Sequence, residues 1–346
     1  MSSIPIIDIG PLFGDAGARR DAVDQAIGAA AFDIGFMVVA CHPPWMRVSA
    51  ARQACLLRLF EMPEATRRPL WKRNFAPENR HLYRGWFPLE SSPARNREGY
   101  EIGPDILRSL PADGDILNET TPLPPAGTVP DDWAAVARGY FADMETLGGA
   151  ILDALSRCLD IDPAIFRDAF RDGISTLRLL HYPGETAPAS ADDVANRFVE
   201  IDGALVEQTA RPHVDSGLLT ILAQCGVGGL QALARDGSWC DVPVCDDGFA
   251  VNFGGLMELW TGGRIRATRH RVLGRGRTRH SIPFFFEPRP STRIGPLPIA
   301  GAAAFTPFLY GDHLWSLTTC FPENFGLGPL RPPREPETLA AVPRLS

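Results

Sequence analysis

The sequence lacks the features that would place it in several common classes of protein. No apolar run approaches the roughly 20 residues that a membrane-spanning helix needs. The formal net charge is −7, so there is no basic excess to bind nucleic acid or an anionic membrane. There is no Walker loop, no G-x-G-x-x-G after a strand, no G-x-S-x-G and no internal repeat. These absences argue against a membrane protein, a nucleic-acid-binding protein and the common nucleotide-binding and serine hydrolase motifs.

Cysteine is present without the spacing of a disulfide framework or a zinc site. The seven cysteines are an odd number and include no C-x-x-C pair, which argues against both. Cys225, Cys240 and Cys245 are therefore expected to be free thiols. The first residues show neither a basic region nor a long apolar stretch. Together these features predict a reduced, cytoplasmic protein.

The order of secondary structure predicts a mostly β protein with flanking helices. A strand at 4–9, a helix at about 16–33 and a strand at 36–40 come first, then a helix at 45–61, an irregular segment at 71–125 and a long helix ending at Leu159. After Gly173 short strands and Gly-containing turns follow without helices, which is typical of a jelly roll. The predicted strands are 176–182, 218–224, 229–233, 238–242, 249–253, 257–260, 269–273 and 281–286.

This pattern predicts four regions within one compact unit. They are an N-terminal α/β extension at 1–125, a scaffold helix at 126–172, a double-stranded β-helix (jelly-roll) core at 173–290 and a C-terminal loop, helix and tail at 291–346. The oligomeric state is not predicted. The ligands of any central site should project into the open end of the core from different strands.

A candidate metal site begins with His213 and Asp215. On an extended strand, residues two apart leave the same face and can converge on one ion. Two His and one carboxylate form the ligand set of non-haem Fe(II) oxygenases, which keep positions open for co-substrate and oxygen. His270, on a late strand, is the natural third ligand, with His181 and His280 as possible substitutes.

A second pair of residues predicts a co-substrate site. Fe(II) with three protein ligands needs a co-substrate, and a dicarboxylate would need a cation for its far end. Arg279 lies nine residues after His270, and Ser281 two residues further on, so both side chains should face the same way. They offer a fork-shaped donor and a hydroxyl donor.

These motifs resemble the Fe(II)/2-oxoglutarate-dependent dioxygenases of the isopenicillin N synthase-like family. The matching segments, in family order over most of the chain, are 4–8, 35–36, 84–85, 177–183, 213–220, 228–231, 251–254, 260–263, 270–272 and 279–286. The resemblance implies that His213, Asp215 and His270 bind Fe(II). It also implies that Arg279 and Ser281, helped by the Tyr182 hydroxyl, hold 2-oxoglutarate. With O2 as co-substrate, a C–H bond of a small molecule would be oxidised, most simply hydroxylated, with release of succinate and CO2.

Two departures from the family pattern leave alternatives open. Gly255 stands where many relatives have an Asp, which removes a possible carboxylate near the ligands, and Leu180 replaces an Asn near the co-substrate of plant relatives. An Fe(II) oxidase of the isopenicillin N synthase or ethylene-forming type, which does not consume 2-oxoglutarate, would carry the same motifs. So would a catalytically silent small-molecule binding protein.

The substrate pocket is expected to be lined by the 71–125 segment, by residues near Arg178 and by a helix at about 310–320. His81, Arg84, Arg95 and Arg97 suggest a polar or acidic substrate, although a solvated surface would explain them equally well.

Overall fold

A computed structural model describes residues 3–89, 97–184, 191–274 and 276–342. None of the helices in these ranges is both long enough and apolar enough to span a membrane. The α-helices are α1 Ala18–Asp33, α2 Ala50–Leu57, α3 Glu64–Arg67, α4 Trp133–Leu159, α5 Ala164–Phe170, α6 Ala191–Arg197, α7 Gly255–Trp260, α8 Tyr310–Thr318 and α9 Pro336–Ala340.

Strands form two large sheets and a small one. The strands are β1 Ile6–Asp8, β2 Phe36–Ala40, β3 Gly85–Phe87, β4 Glu98–Ile102, β5 Thr176–Tyr182, β6 Phe198–Ile201, β7 Ala204–His213, β8 Leu219–Ala223, β9 Leu230–Leu233, β10 Trp239–Asp241, β11 Phe249–Phe253, β12 His270–Leu273, β13 Arg279–Phe286, β14 Arg293–Ile294 and β15 Phe308–Leu309. The eight-stranded sheet has the order β1-β2-β11-β8-β13-β5-β4-β3, the five-stranded sheet has the order β10-β9-β12-β7-β6, and β14 pairs with β15. The prediction of a mostly β, jelly-roll core with flanking helices is confirmed.

The eight-stranded sheet is covered on both faces at its centre. Every residue of β2 and of β11 is buried. Their nearly continuous apolar sequences are typical of strands that are covered on both faces. Helix α4 packs along this sheet, and its stripe of Tyr140, Met144 and Leu147 is fully buried. The side chain of any other residue at Gly148 would overlap the Phe286 ring, so glycine allows the helix to approach β13 closely. This packing therefore fixes the sheet that contributes many of the candidate site residues.

One predicted strand is wrong. Residues 257–260 belong to helix α7, not to a strand. A short apolar run cannot distinguish a strand from a helix. Here the backbone amides of Gly255 and Leu256 donate to the Asp215 and Gly217 carbonyls, and this anchors the first turn of the helix.

Several elements were not predicted. The hairpin of β6 and β7 turns at Asp202-Gly203, where both residues have positive φ (51° and 79°), as tight hairpin turns require. Strands β3 and β4 lie inside the segment predicted to be irregular, and α5, α6 and α9 were also missed. The predicted helix at 310–320 is confirmed as α8.

Candidate metal centre and co-substrate pocket

His213, Asp215 and His270 come together at one end of the core. His213 ends β7 and His270 begins β12, and the two residues are direct partners across this strand pair. Their Nε2 atoms lie 3.5 Å and 3.7 Å from Oδ1 of Asp215. Asp215 itself lies in the turn after β7 and not on the strand. Among the described residues these form the only group of three His, Cys, Asp or Glu side chains close enough to share a metal ion.

The chain's own backbone orients both imidazole rings. Nδ1 of His213 lies 2.7 Å from the Arg211 carbonyl, and Nδ1 of His270 lies 3.0 Å from the Thr268 carbonyl. In each case the acceptor belongs to the residue two positions earlier. A protonated Nδ1 leaves Nε2 as a lone-pair donor, which is the form that binds metals.

Two side chains that were not assigned a role from the sequence orient Asp215. Thr220 donates to Oδ2 at 2.7 Å, and Asn252 donates to the same oxygen at 2.8 Å. Oδ1 is thereby left facing the two histidines. Both residues lie in motifs found in the sequence, at 213–220 and 251–254. Only the fold shows that β8 and β11 bring them to Asp215.

Gly255 supports the Asp215 loop through its backbone. Its amide donates to the Asp215 carbonyl at 2.7 Å. A side chain at the preceding Gly254 would collide with the backbone oxygens of Gly217 and Asp215. Close backbone packing thus fixes the loop where relatives with an Asp at position 255 could use a carboxylate.

The charge distribution favours an ionised Asp215 and a neutral His270. Burial raises the pKa of Asp215, but its interactions with His270 and His213 outweigh this effect and lower the pKa. Burial lowers the pKa of His213, but the Asp215 carboxylate outweighs this effect and raises it. Burial also lowers the pKa of His270, against the opposing effect of Asp215. An anionic carboxylate and neutral imidazole are the protonation states that bind a cation.

The triad opens into a cavity of about 920 Å³ lined by both large sheets. Arg279, Ser281 and Tyr182 all line it. The Arg279 side chain is buried, its Nε donates weakly to the Val227 carbonyl at 3.4 Å, and its guanidinium lies 5.2 Å from the Tyr182 ring centre. Within the described structure, Nη2 of Arg279 is buried and has no hydrogen-bond acceptor. An unpaired buried donor of this kind is costly unless a ligand accepts from it.

His181 and His280 do not lie in the cavity. Their rings stack on each other with centres 4.9 Å apart, and Nδ1 of His181 contacts Glu98 at 2.9 Å. Their place away from the triad removes them as substitutes for His270.

The far wall of the cavity carries a buried network of charges. Lys72 is fully buried and donates to Glu101 at 2.6 Å and to Asn324 at 2.8 Å. Arg178 holds the other Glu101 oxygen through Nε at 2.9 Å and approaches Glu323 at 3.8 Å. Burial raises the pKa of Glu101, but Lys72 and Arg178 outweigh it and bring it to about 2. The network joins β4 and β5 to the segment after α8.

Glu287 supplies a different kind of carboxyl group to the same wall. It is buried and accepts a hydrogen bond from the Tyr310 hydroxyl. Burial raises the pKa of Glu287 to about 8, so the group keeps its proton near neutral pH.

The segments predicted to line a substrate pocket contribute residues to this cavity, but the cations suggested from the sequence lie in different places. Arg97 lines the cavity, together with residues near Arg178 and residues of α8 such as Leu314. Arg84 instead is buried in packing and donates to Thr176 at 2.5 Å, and His81 does not line the cavity. Arg95 lies outside the described residues.

Comparisons with known proteins place the chain among oxygenases. Residues 175–288 match the model of the 2OG-Fe(II) oxygenase superfamily. The 2-oxoglutarate-Fe(II) type oxidoreductase hxnY of Emericella nidulans is 30% identical over 294 residues, which cover 83% of this chain and 80% of that protein. Isopenicillin N synthase of Hapsidospora chrysogena is 29% identical, with 82% of this chain and 83% of that protein covered. A full-length Neurospora crassa protein, crystallised in complex with alpha-KG, shares the fold, with a TM-score of 0.72 at 22% identity over 92% of this chain and 95% of that one.

Proposed function

Because the chain belongs to the 2OG-Fe(II) oxygenase superfamily, we propose that His213, Asp215 and His270 hold the Fe(II) of a 2-oxoglutarate-dependent dioxygenase. The family predicted from the motifs is confirmed, and with it the use of Fe(II), 2-oxoglutarate and O2. The assignment of roles to individual residues is the proposal. The observation that carries it is the convergence of the three ligand atoms, which all lie within 4.8 Å of one another.

The donor set fits iron. Two imidazole nitrogens and one carboxylate oxygen on the same side of a site leave the opposite positions free for other ligands. Thr220 and Asn252 both donate to Oδ2 of Asp215 and so fix the orientation of its carboxylate. Such outer contacts fix ligand orientation and strengthen metal binding.

The neighbouring residues fit the distal carboxylate of 2-oxoglutarate. Nη2 of Arg279 is a buried donor without an acceptor among the described residues, and Ser281 lies two residues further on the same strand. A carboxylate here would accept from both groups, while the Tyr182 ring packs beside the guanidinium. When bound, iron and 2-oxoglutarate supply the activation of O2 that oxidises a substrate C–H bond, with release of succinate and CO2.

The remaining cavity is the proposed site of a small-molecule substrate. It presents apolar groups such as Leu180 and Phe285, the ordered guanidinium of Arg178 and the protonated carboxyl of Glu287. These residues can exclude water from the reacting carbon and orient a polar substrate. Hydroxylation is the simplest outcome.

Succinate release tests this function directly. We expect succinate to form only when Fe(II), 2-oxoglutarate and O2 are all present, and Asp215→Ala to abolish its formation. Asp168→Ala is the matched control, since that carboxylate is exposed and forms only a surface ion pair with Arg171. Oxygen uptake without 2-oxoglutarate would instead indicate an oxidase of the isopenicillin N synthase type. No oxygen uptake with any of a panel of small molecules would indicate a binding protein.

A further inference from the structure

One cation in the cavity has no acceptor within the described structure. Arg97 lines the cavity and is only partly exposed, and no ion pair or hydrogen bond joins its side chain to a described residue. The other arginines that line the cavity each have an acceptor: Arg178 has Glu101 at 2.5 Å, Arg197 has Glu207 at 2.7 Å, Arg211 has Asn196 at 2.6 Å, and Arg279 has Val227 at 3.4 Å. Among the described residues, none competes with a ligand for the Arg97 guanidinium.

Strand pairing places Arg97 near the proposed co-substrate site but two strands away from Arg279. Arg97 immediately precedes Glu98, which pairs with His181, and Tyr182 pairs with Arg279. Arg97 thus lies beside Tyr182 and two strands from Arg279. With a strand spacing of about 4.8 Å, the two arginine backbones are about 10 Å apart. Two separate anions can be held at this distance.

The acidic groups of the cavity are already engaged. Glu101 is held by Lys72 and Arg178, and Asp215 is committed to the triad. Glu323 lies near Arg178 at 3.8 Å, and Glu287 accepts a hydrogen bond from the Tyr310 hydroxyl. None of these carboxylates forms an ion pair with Arg97. The chain as a whole has a net charge of −7. The positive charge of Arg97 is therefore local to the cavity.

We propose that the substrate carries a carboxylate and that Arg97 binds it. This inference rests on the proposed function, because it assigns the 2-oxoglutarate carboxylate to Arg279 and leaves Arg97 for the substrate. A guanidinium presents paired N–H groups that match the two oxygens of a carboxylate. The carboxylate held at Arg97 would fix one end of the substrate while the reacting carbon faces the triad.

Binding of matched acids and amides tests the proposal. The probes are benzoate, phenylacetate and hexanoate with their carboxamides, titrated calorimetrically into anaerobic protein saturated with Mn(II) and 2-oxoglutarate. We expect at least one acid to bind about tenfold more tightly than its amide, because a charge-assisted hydrogen bond is lost in the amide. Arg97→Gln should remove this preference and Arg97→Lys should retain part of it.

Arg171→Gln is the matched control, since it makes the same substitution in an exposed arginine that pairs with Asp168 on the surface. It should keep the preference for acids. The proposal is overturned if no acid binds better than its amide, if the preference survives Arg97→Gln, or if Arg171→Gln removes it equally. A loss of 2-oxoglutarate affinity in Arg97→Gln would also overturn it, because Arg97 would then serve the co-substrate. Failure of the proposed function is seen separately, as absence of Mn(II)-dependent 2-oxoglutarate binding to the unmodified protein.

Discussion

Replacement of Arg279 by Lys tests the co-substrate site most sharply. The change keeps the positive charge but removes the planar fork, so only the geometry of the donors is altered. Arg279 is 4% exposed, and its Nη2 has no acceptor among the described residues. Water therefore cannot easily replace a lost contact to the ligand.

The expected size of the effect follows from the strength of one charge-assisted hydrogen bond. Such a bond contributes about 1.5–3 kcal/mol, and each 1.4 kcal/mol corresponds to about a factor of ten in affinity. Arg279→Lys should thus weaken 2-oxoglutarate binding by about 10- to 100-fold. Ser281→Ala removes a hydrogen bond from a hydroxyl and should weaken it by roughly 2- to 12-fold.

Calorimetric titration of 2-oxoglutarate into the anaerobic Mn(II) protein measures both changes. Arg171→Lys serves as the matched control, because it makes the same substitution in an exposed surface arginine and should leave the affinity unchanged. Circular dichroism should show that all three variants remain folded. An Arg279→Lys protein that binds 2-oxoglutarate as tightly as the unmodified protein would refute the assignment.

Further predictions concern the metal, the buried charges and the thiols. Asp215→Ala should weaken Fe(II) binding by more than about 100-fold, beyond the loss seen when only an outer contact is removed; equilibrium dialysis measures this, and unchanged binding would exclude Asp215 as a ligand. Lys72→Met should lower the free energy of unfolding by about 3 kcal/mol, since it leaves Glu101 with only Arg178; a urea transition unchanged from that of the unmodified protein would contradict this. Because the pKa of Glu101 is about 2 in the folded protein and 4.5 ordinarily, its stabilisation is complete above pH 4.5 and is lost as the pH falls towards 2. Glu101→Gln should flatten this part of the stability curve, and an equal slope in both proteins would argue against it. Metal analysis after mild chelation should find no zinc held by Cys225, Cys240 and Cys245, and retained stoichiometric zinc would disprove their assignment as free thiols.

The sequence predicted the parts of the site that lie close together along the chain or follow a strand. Arg279 and Ser281 share one strand, so their common face could be inferred from spacing. His213 and Asp215 converge as predicted, but Asp215 lies beyond the end of β7, so strand alternation is not the reason. His270 required the assumption that its strand returns beside β7, and the resemblance to a known family supported that assumption.

The remainder depended on contacts that spacing does not reveal. Lys72 and Asn324 are 252 positions apart, and no local pattern indicates that they meet. Asn252 reaches Asp215 only because β11 lies beside β8. The hairpin of β6 and β7 was missed because charged and polar residues interrupt its alternation of apolar side chains.

The two histidines take their orientation from the carbonyls of Arg211 and Thr268, and not from side chains elsewhere in the protein. The proposed substrate wall, in contrast, is built from β4, β5 and the segment after α8. A change of substrate can therefore evolve through residues that never touch the rings of the metal site. For enzyme design, positions such as Leu180, Leu314 and Phe321 are accordingly the places to diversify in a library, while the strand ends that carry the histidines are kept constant.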